Sequence, residues 1–321
     1  MSLVKHLFPL LPAALTACPE PSDVADGDPA GGDDTGSPPV EVVPGEPVRF
    51  VAVGDAGTGD DNQIAVADGM RAVCETVGCD FVVYLGDNFY ADGIGAADDA
   101  QWQEKFEVPY TGFDVPFWAV LGNHDYGGNG GAFEAWRTDF QVAYTEVSDK
   151  WNLPDQHYAQ RIGDVTLFGL DSNAIVWGQG ADQTPWFQEA LAASTTTWRV
   201  AMGHHPLVSN GHHGNAGVYD GLVDNGVPFR DFMQGEVCGN VDLYLSGHDH
   251  NLQWLDGGCG TTQLIVSGTG GKTSSLGGAN PTHFEAETLG FTWIELAGQT
   301  MTAVFYDADG VELYRKSVTK S

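Results

Sequence analysis

The chain contains 321 residues, enough for one large domain or two small ones, and its apolar content is typical of globular proteins. It carries 44 Asp and Glu against 13 Lys and Arg, which gives a formal net charge of -31 at pH 7. This charge argues against nucleic acid as a partner, because binding a phosphate backbone requires Lys and Arg to replace its counterions. Highly charged anionic substrates would be repelled as well, unless a bound metal ion supplied local positive charge. Nothing in the sequence specifies an oligomeric state.

The first 18 residues resemble an export signal of the lipoprotein type. Lys5 supplies the positive charge that begins such a signal. Residues 7–17 are mostly apolar, but they are too few to span a bilayer as a helix. Leu15-Thr16-Ala17-Cys18 resembles a bacterial lipobox, in which the Cys is lipidated and becomes the mature N-terminus. The alternative is a plain secretory signal with a chance Cys. We therefore expect a bacterial outer-membrane or cell-surface lipoprotein, otherwise a periplasmic or secreted protein, that touches a membrane only through an anchor at Cys18.

Residues 19–47 are predicted to form a disordered linker. This segment is rich in Pro, Gly and Ser, and it contains eight acidic residues and no Lys or Arg. It has too few apolar residues to offset the entropy lost on ordering, and its like charges favour an extended chain. We expect it to hold the folded domain, residues 48–321, away from a membrane.

Four cysteines remain after Cys18, an even number in a chain predicted to be exported. Cys74 with Cys79 and Cys238 with Cys259 are plausible disulfides in an oxidising compartment. Metal binding is the alternative, but the spacings do not match a zinc site.

Residues 48–321 have the pattern of a single domain. Apolar runs predict buried strands at residues 48–53, 81–85, 117–121, 198–202 and 241–245. Helical stretches are predicted between them, at residues 61–76, 97–106, 131–140 and 185–193. Further strands are predicted at residues 158–162, 165–170, 263–266, 291–296, 300–306 and 311–317. This mixed order predicts an α/β sandwich of two packed mixed β-sheets flanked by helices.

Each of the five apolar runs is followed by a short motif that combines glycine with metal-binding side chains. The motifs are Gly54-Asp55-Ala56-Gly57, Gly86-Asp87-Asn88-Phe89-Tyr90, Gly122-Asn123-His124-Asp125, Gly203-His204-His205-Pro206 and Gly247-His248-Asp249-His250. Ligands of open α/β sheets collect where strands end. A single Asp or Asn in such a place is more often a turn residue or a helix cap. Five motifs in the same context instead predict one pooled site.

The donor atoms of these motifs indicate a pair of metal ions. The candidate ligands are Asp55, Asp87, Tyr90, Asn123, His204, His248 and His250. Their mixture of oxygen and nitrogen suits iron, zinc or manganese better than calcium or magnesium. Seven ligands are too many for one ion with an open position, but they suit two ions that share a carboxylate. Two such ions form a clamp for phosphate-ester displacement.

The motifs resemble those of the calcineurin-like metallophosphoesterase superfamily and, more closely, of the purple acid phosphatases of the small, tartrate-resistant type. Two stretches carry the resemblance, Tyr84-Leu85-Gly86-Asp87-Asn88-Phe89-Tyr90 and Gly247-His248-Asp249-His250-Asn251-Leu252-Gln253. The similarity extends over roughly residues 48–317. It implies a metallophosphoesterase fold and an acid phosphatase that hydrolyses phosphate monoesters. It also implies a dinuclear centre of Fe(III) with Fe(II), Zn(II) or Mn(II), which holds a hydroxide nucleophile.

The resemblance also implies a role for each residue. Asp55, Tyr90 and His250 correspond to the ligands of the ferric ion, Asp87 to the bridging carboxylate, and Asn123, His204 and His248 to the ligands of the divalent ion. His124 and His213 correspond to histidines near the phosphate that protonate the leaving group or stabilise charge, although His212 could take the place of His213. Asp125 is a candidate for orienting His124 or His204. Where that subgroup has a Tyr after the histidine of the fourth motif, this chain has His205.

Two other functions are compatible with the same residues. One is a manganese- or zinc-dependent phosphodiesterase or nucleotide hydrolase of the same superfamily. The other is a surface lipoprotein that binds metal or phosphate without turnover. The complete ligand set and the two candidate acids favour catalysis, because binding alone requires no proton donor.

Overall fold

The fold is a sandwich of two β-sheets with helices on its outer sides, seen in a computed structural model that describes residues 45–320. The predicted architecture of two packed mixed sheets flanked by helices is confirmed. The predicted signal, the Cys18 anchor and nearly all of the predicted linker lie outside the described residues.

Fourteen strands build the two sheets in the described part of the chain. They are β1 (Val48–Val53), β2 (Phe81–Leu85), β3 (Phe117–Val120), β4 (Trp151–Asn152), β5 (Tyr158–Ile162), β6 (Val165–Gly169), β7 (Trp198–Met202), β8 (Leu243–Ser246), β9 (Leu252–Leu255), β10 (Gln263–Ser267), β11 (Thr282–Ala286), β12 (Gly290–Ala297), β13 (Thr300–Asp307) and β14 (Glu312–Thr319). The α-helices are α1 (Asp61–Val77), α2 (Trp136–Ala143), α3 (Ser172–Val176), α4 (Gln183–Ala193) and α5 (Val227–Phe232).

The strand order places parallel strands at the centre of each sheet. The first sheet has the order β14-β13-β12-β1-β2-β3-β4, in which β1 to β4 pair in parallel. The second has the order β11-β9-β10-β8-β7-β6-β5, in which β6, β7, β8 and β10 pair in parallel. The parallel strands of one sheet all end at the same edge, so the residues that follow them are brought together there.

Two hydrophobic clusters hold these layers together. The larger contains side chains of both sheets, such as Val51 and Val83 from the first and Leu245 and Ile265 from the second. The smaller joins the second sheet to the helices beside it and includes Phe187 of α4. Strands buried on both faces explain why the apolar runs in the sequence are continuous rather than alternating.

Two predicted helices begin later than the sequence pattern indicates. In the stretch 97–106, helical structure starts only at Gln101, because the Asp99 carboxylate accepts the backbone N–H of Gly95 and Gln101 and favours a local turn. In the stretch 131–140, α2 starts at Trp136. The N–H groups of Ala132 and Glu134 bond back to carbonyls of the preceding loop and are not available to a helix.

The two predicted disulfides, Cys74–Cys79 and Cys238–Cys259, are both present. The first ties the end of α1 to the segment that leads into β2, and the second closes a longer loop that contains β8 and β9. Within residues 45–320, no helix combines the length and the apolar character that a membrane crossing requires.

Helix α3 begins at a buried carboxylate, that of Asp171. The side chain accepts the Ala174 N–H at 2.9 Å and the hydroxyl of Tyr126, and it is the N-cap of the helix. Burial raises the pKa of Asp171 to about 6 from its ordinary value of 3.8. Between those two pH values the folded protein therefore holds a proton that the unfolded chain has lost.

This proton predicts a pH-dependent contribution to stability. The contribution of Asp171 is present in full below its unfolded pKa and is lost as the pH rises through its folded pKa. In the parent protein, the free energy of unfolding should therefore fall between pH 4 and pH 7. We expect this fall to be about 1–3 kcal/mol smaller in Asp171→Asn, which keeps the helix cap. Urea unfolding at both pH values measures the free energy of unfolding, and Asp231→Asn, at an exposed position, is the control. Equal losses in the variant and the parent protein would contradict the prediction.

Candidate metal centre

The five sequence motifs meet at one edge of the sandwich. Three of them follow β1, β2 and β3 of the first sheet, and two follow β7 and β8 of the second. All seven predicted ligands lie there, although their role as ligands stays a prediction. Each carboxylate is almost completely inaccessible to solvent, with Asp55 at 0% and Asp87 at 2% exposure.

A first group of three donor atoms, here called the first triad, comes from Asp55, Tyr90 and His250. The Tyr90 hydroxyl donates to Asp55 Oδ1 at 3.0 Å and lies 3.2 Å from His250 Nε2. His250 Nε2 is 3.4 Å from the same Asp55 oxygen. The triad thus combines two residues of the first sheet's loops with one of the second sheet's.

The second triad comes from Asn123, His204 and His248. Asn123 Oδ1 lies 2.9 Å from His204 Nε2 and 3.1 Å from His248 Nδ1, and the two ring nitrogens are 3.1 Å apart. Here one residue belongs to the first sheet's loops and two to the second sheet's. The three polar atoms therefore lie close enough together to bind the same metal ion.

Asp87 lies between the two triads. Its Oδ1 is 3.4 Å from His204 Nε2, and single donor atoms of Asp55, Asp87 and His204 all lie within 4.8 Å of one another. Asp87 can thus serve both triads, which is the position expected of a bridging carboxylate.

The arrangement fits two metal ions. Donors about 2.1 Å from an octahedral ion lie about 3 Å from each other, and the spacings within both triads are close to this value. Imidazole, phenol, amide and carboxylate donors together suit iron, zinc or manganese. The residues present therefore fit the dinuclear centre that the resemblance implies.

The backbone at the centre is held in an unusual conformation. Asp55, Asp87 and His248 have positive φ angles of 58°, 52° and 68°, which are uncommon for residues other than glycine. Such conformations persist where the surroundings impose them, and they cluster at functional sites.

Two glycines permit the close approach of the loops. A Cβ at Gly122 would lie 2.2 Å from Asp87 Oδ1, and one at Gly247 would lie 2.4 Å from Asp55 Oδ2. Both positions therefore require glycine beside a candidate ligand.

Hydrogen bonds behind the ligands fix their orientation. His204 Nδ1 lies 2.9 Å from the Leu85 carbonyl, which leaves Nε2 free for a cation. The backbone N–H of His124 donates to Asp87 Oδ1 at 2.9 Å, and that of His248 donates to Asp55 Oδ2 at 2.8 Å. Asp125 was a candidate for orienting His124 or His204. Its hydrogen bonds instead come from the backbone of the β2 and β3 loops and from Gln141.

Tyr90 lies between negative and positive charge. Burial, together with the carboxylates of Asp55 and Asp87, raises the pKa of Tyr90 well above its ordinary value. The phenol therefore stays protonated until a cation offsets those carboxylates. On its other side, the Lys272 ammonium lies 3.3 Å from the centre of the Tyr90 ring.

A cavity of about 660 Å³ opens beside the two triads. His124 and His213 both line it. His124 Nδ1 is 2.7 Å from the Ala91 carbonyl, and its Nε2 lies 3.9 Å from Asp87 Oδ2. The His213 ring stacks on that of His248 with centroids 4.0 Å apart. His212 lines a different cavity, so of the two neighbouring histidines only His213 lines the cavity beside the triads.

Three residues around the cavity were not found from the sequence. Asp220 Oδ1 lies 2.6 Å from His213 Nδ1 and orients that ring. The Ser172 hydroxyl accepts the backbone N–H groups of both His204 and His205. Asn173 also lines the cavity. None of the three belongs to a motif, so only their positions in space reveal them.

His205, where the resemblance leads us to expect Tyr, is almost completely buried and lines the cavity beside the triads. Burial lowers the pKa of His205 well below its ordinary value, and the nearby His204 adds to this effect. Its Nδ1 lies 3.0 Å from the Ser172 hydroxyl, and its ring is 4.5 Å from that of His248. The ring of His205 therefore packs against that of His248, a candidate ligand, at the wall of the cavity.

A sandwich of two mixed sheets with paired donor triads at its strand ends is the architecture of a metal-dependent phosphoesterase. Residues 48–252 match the family described as calcineurin-like phosphoesterase. The chain belongs to this family and, within it, to the tartrate-resistant, purple acid phosphatase group.

The sequence and fold comparisons agree. The chain is 30% identical to the tartrate-resistant acid phosphatase type 5 of Mus musculus over 316 residues, which cover 85% of this chain and 90% of the relative. Two solved structures share the fold. GAP50, the anchor in the inner membrane complex of Plasmodium, has a TM-score of 0.70, 19% identity and coverage of 86% and 89%. The purple acid phosphatase PPD1 of Lupinus luteus has a TM-score of 0.64, 18% identity and coverage of 86% and 55%.

Proposed function

We propose that this protein is an acid phosphatase that hydrolyses phosphate monoesters with a dinuclear centre of Fe(III) and a divalent Fe, Zn or Mn ion. The observation that carries the proposal is the pair of donor triads with buried Asp87 between them. The first triad, with its phenol, suits the harder ferric ion, and the second, with two imidazoles, suits the divalent ion. Asp87 would be shared by both.

The ions and the protein contribute different parts of the chemistry. When bound, the ions would neutralise the phosphate and lower the pKa of water, toward ~7 for zinc. The chain itself holds the ligands, shapes the cavity and supplies proton donors. The Nδ1 atom of His213 faces Asp220, so His213 Nε2 can donate a proton to the leaving oxygen. His124 is held by the Ala91 carbonyl and lines the cavity, so its Nε2 would be available to phosphate oxygens.

Elemental analysis and a pair of assays test the proposal. We expect purified protein to contain two metal ions per chain, at least one of them iron, and to hydrolyse p-nitrophenyl phosphate at acid pH. Hydrolysis of bis(p-nitrophenyl) phosphate should be much slower. A preference for the diester would favour the phosphodiesterase alternative. Two bound ions without turnover of either ester would favour a binding protein.

Tyr90→Phe is expected to abolish the visible absorption band of the iron-loaded protein. The band would arise from charge transfer between the Tyr90 phenolate and ferric iron, and phenylalanine cannot form that bond. An absorption spectrum measures the effect, and iron analysis shows whether the metal is still bound. Tyr110→Phe, which removes a buried hydroxyl in the aromatic core, is the matched control. An unchanged band in Tyr90→Phe would exclude Tyr90 as a ferric ligand.

We also propose that the chain is exported and anchored through a lipid on Cys18. The two disulfides support an oxidising compartment. In a bacterial host, Cys18→Ser should move the protein from the membrane fraction to the soluble fraction, detected by immunoblot after fractionation. An unchanged membrane fraction would contradict the anchor.

A further inference from the structure

A sixth glycine-containing loop reaches the metal centre. This segment, residues 268–274, is here called the β10 loop because it follows β10. Strand β10 pairs in parallel with β8, so the β10 loop begins at the same edge of the second sheet as the motif after β8. It contains three glycines, and its charged residue is Lys272. The β10 loop does not belong to the five sequence motifs, because it offers a cation instead of a metal-binding side chain.

The backbone of the β10 loop is fixed against two of the loops that carry candidate ligands. The N–H of Gly270 donates to the Gly54 carbonyl at 3.0 Å, and the N–H of Ser274 donates to the His250 carbonyl at 2.7 Å. Lys272 lies between these two bonded residues. Its position relative to the first triad is therefore set by the fold.

The Lys272 side chain has the Tyr90 ring as its partner. Its ammonium lies 3.3 Å from the centroid of that ring. A cation within about 6 Å of an aromatic centroid is attracted by the electrons of the ring face. Lys272 is half-buried, and its nitrogen forms no hydrogen bond or ion pair with any residue in the described part of the chain. Because the ammonium is not paired with Asp55 or Asp87, both carboxylates stay available to metal ions.

A second lysine holds the main chain of the same tyrosine. Lys105 Nζ donates to the Tyr90 carbonyl and, at 2.7 Å, to Gln101 Oε1. The Lys105 carbonyl in turn accepts Gln63 Nε2 at 2.6 Å, which ties this segment to α1. The chain has only 13 Lys and Arg against 44 Asp and Glu, and two of these cations meet at Tyr90. Positive charge is therefore concentrated beside one candidate ligand.

A positive charge over the ring draws electron density away from the Tyr90 oxygen. A phenolate in such a field is a weaker donor, and more energy is needed to transfer an electron from it. Weaker donation leaves more positive charge on a ferric ion bound at the first triad. That charge favours reduction of the ion and attracts phosphate more strongly. Groups around a metal ligand tune a metal site in this way without contacting the metal.

We propose that Lys272 is a positioning residue that acts through Tyr90, and that its charge sets the energy of the Tyr90 charge-transfer band and raises the reduction potential of iron at the first triad. This inference rests on the proposed iron centre. Lys272 does not line the cavity beside the triads, so its influence on the reaction passes through Tyr90. A purely structural role would depend on the shape of the side chain, whereas this role depends on its charge.

The absorption spectrum of the iron-loaded protein tests the effect of the charge. Lys272→Met removes the charge and keeps the approximate length of the side chain, so the band should move to longer wavelength. Lys272→Arg restores a cation that stacks on aromatic faces and should keep the band near its wild-type position. Band position does not depend on how many molecules hold iron, so partial loss of metal leaves the comparison valid.

A lysine elsewhere in the chain provides the matched control. Lys320 Nζ lies 4.2 Å from the centroid of the Trp198 ring, and Trp198 begins β7 at the end of the strand opposite to the metal centre. Lys320→Met therefore removes a similar contact between a cation and a ring, and it should leave the band unmoved.

A redox titration provides a second measurement, on protein loaded with iron and zinc so that only one ion changes oxidation state. At a fixed applied potential, Lys272→Met should lower the ratio of reduced to oxidised iron about two- to tenfold, the value of a cation–π contact, and Lys272→Arg should restore it. An unmoved band with an unchanged ratio in Lys272→Met, or equal shifts in the Met and Arg variants, would overturn the inference while the iron centre stood. Wild-type protein that binds no iron or shows no band would remove the proposed centre itself, and this inference with it.

Discussion

Asp87→Asn is expected to leave fewer than two metal ions per chain and to lower kcat/KM for p-nitrophenyl phosphate by at least ~100-fold. Asp87 is the residue between the two triads, and its Oδ1 lies 3.4 Å from His204 Nε2. Mutation of a residue that only hydrogen-bonds to a metal ligand typically lowers metal affinity or activity about 10- to 100-fold. Loss of a ligand shared by two ions should therefore lower them further. The substitution also removes a buried negative charge that would offset the positive charge of the two ions.

Elemental analysis after gel filtration provides the direct readout, with activity as the second. Asp68→Asn, which removes an exposed carboxylate on α1, is the control and should keep both ions. If Asp87→Asn retained two ions per chain, Asp87 could not be the shared ligand.

His213→Asn is expected to lower kcat for alkyl phosphate monoesters by ~100- to 10,000-fold, the range for loss of a general acid. Asn preserves polarity and approximate size but cannot deliver a proton. The effect should be smaller for p-nitrophenyl phosphate, because its leaving group departs without protonation. Steady-state kinetics on both esters measure the difference.

The neighbouring histidine supplies a matched control for this prediction. His212 lines a separate cavity, so His212→Asn should retain nearly full activity on both esters. Metal analysis of His213→Asn is needed as well, because the ring stacks on that of His248. A loss of kcat that is equal for both esters would assign His213 to binding or charge stabilisation and would leave His124 as the candidate acid.

Much of the fold follows from features that are local in the sequence. The runs at β1, β2 and β7 are apolar and bounded by turn residues, so both ends of those strands could be predicted. Helix α3 has only five residues, too few to show helical periodicity. The start of the helical segment at Gln101 depends on one carboxylate, that of Asp99, which binds two backbone N–H groups.

The meeting of the seven candidate ligands in one place was predictable for a different reason. Each follows an apolar run within a glycine-containing motif, and parallel strands bring such motifs to one edge. The substrate side of the site lacks this regularity. His212 and His213 are equivalent in sequence, and a fold of the loop after β7 decides which one lines the cavity. Asp220 and Asn173 belong to no motif, and their relation to the centre exists only in three dimensions.

Both triads draw donors from the two sheets. Asp55 and Tyr90 meet His250 across the sandwich, and Asn123 meets His204 and His248. Ions held there would join the two halves of the protein, so metal occupancy and resistance to unfolding would form one equilibrium. Molecules that lack metal would open more often and become the first substrates of proteases. Degradation would then remove inactive copies selectively, with no dedicated quality-control factor.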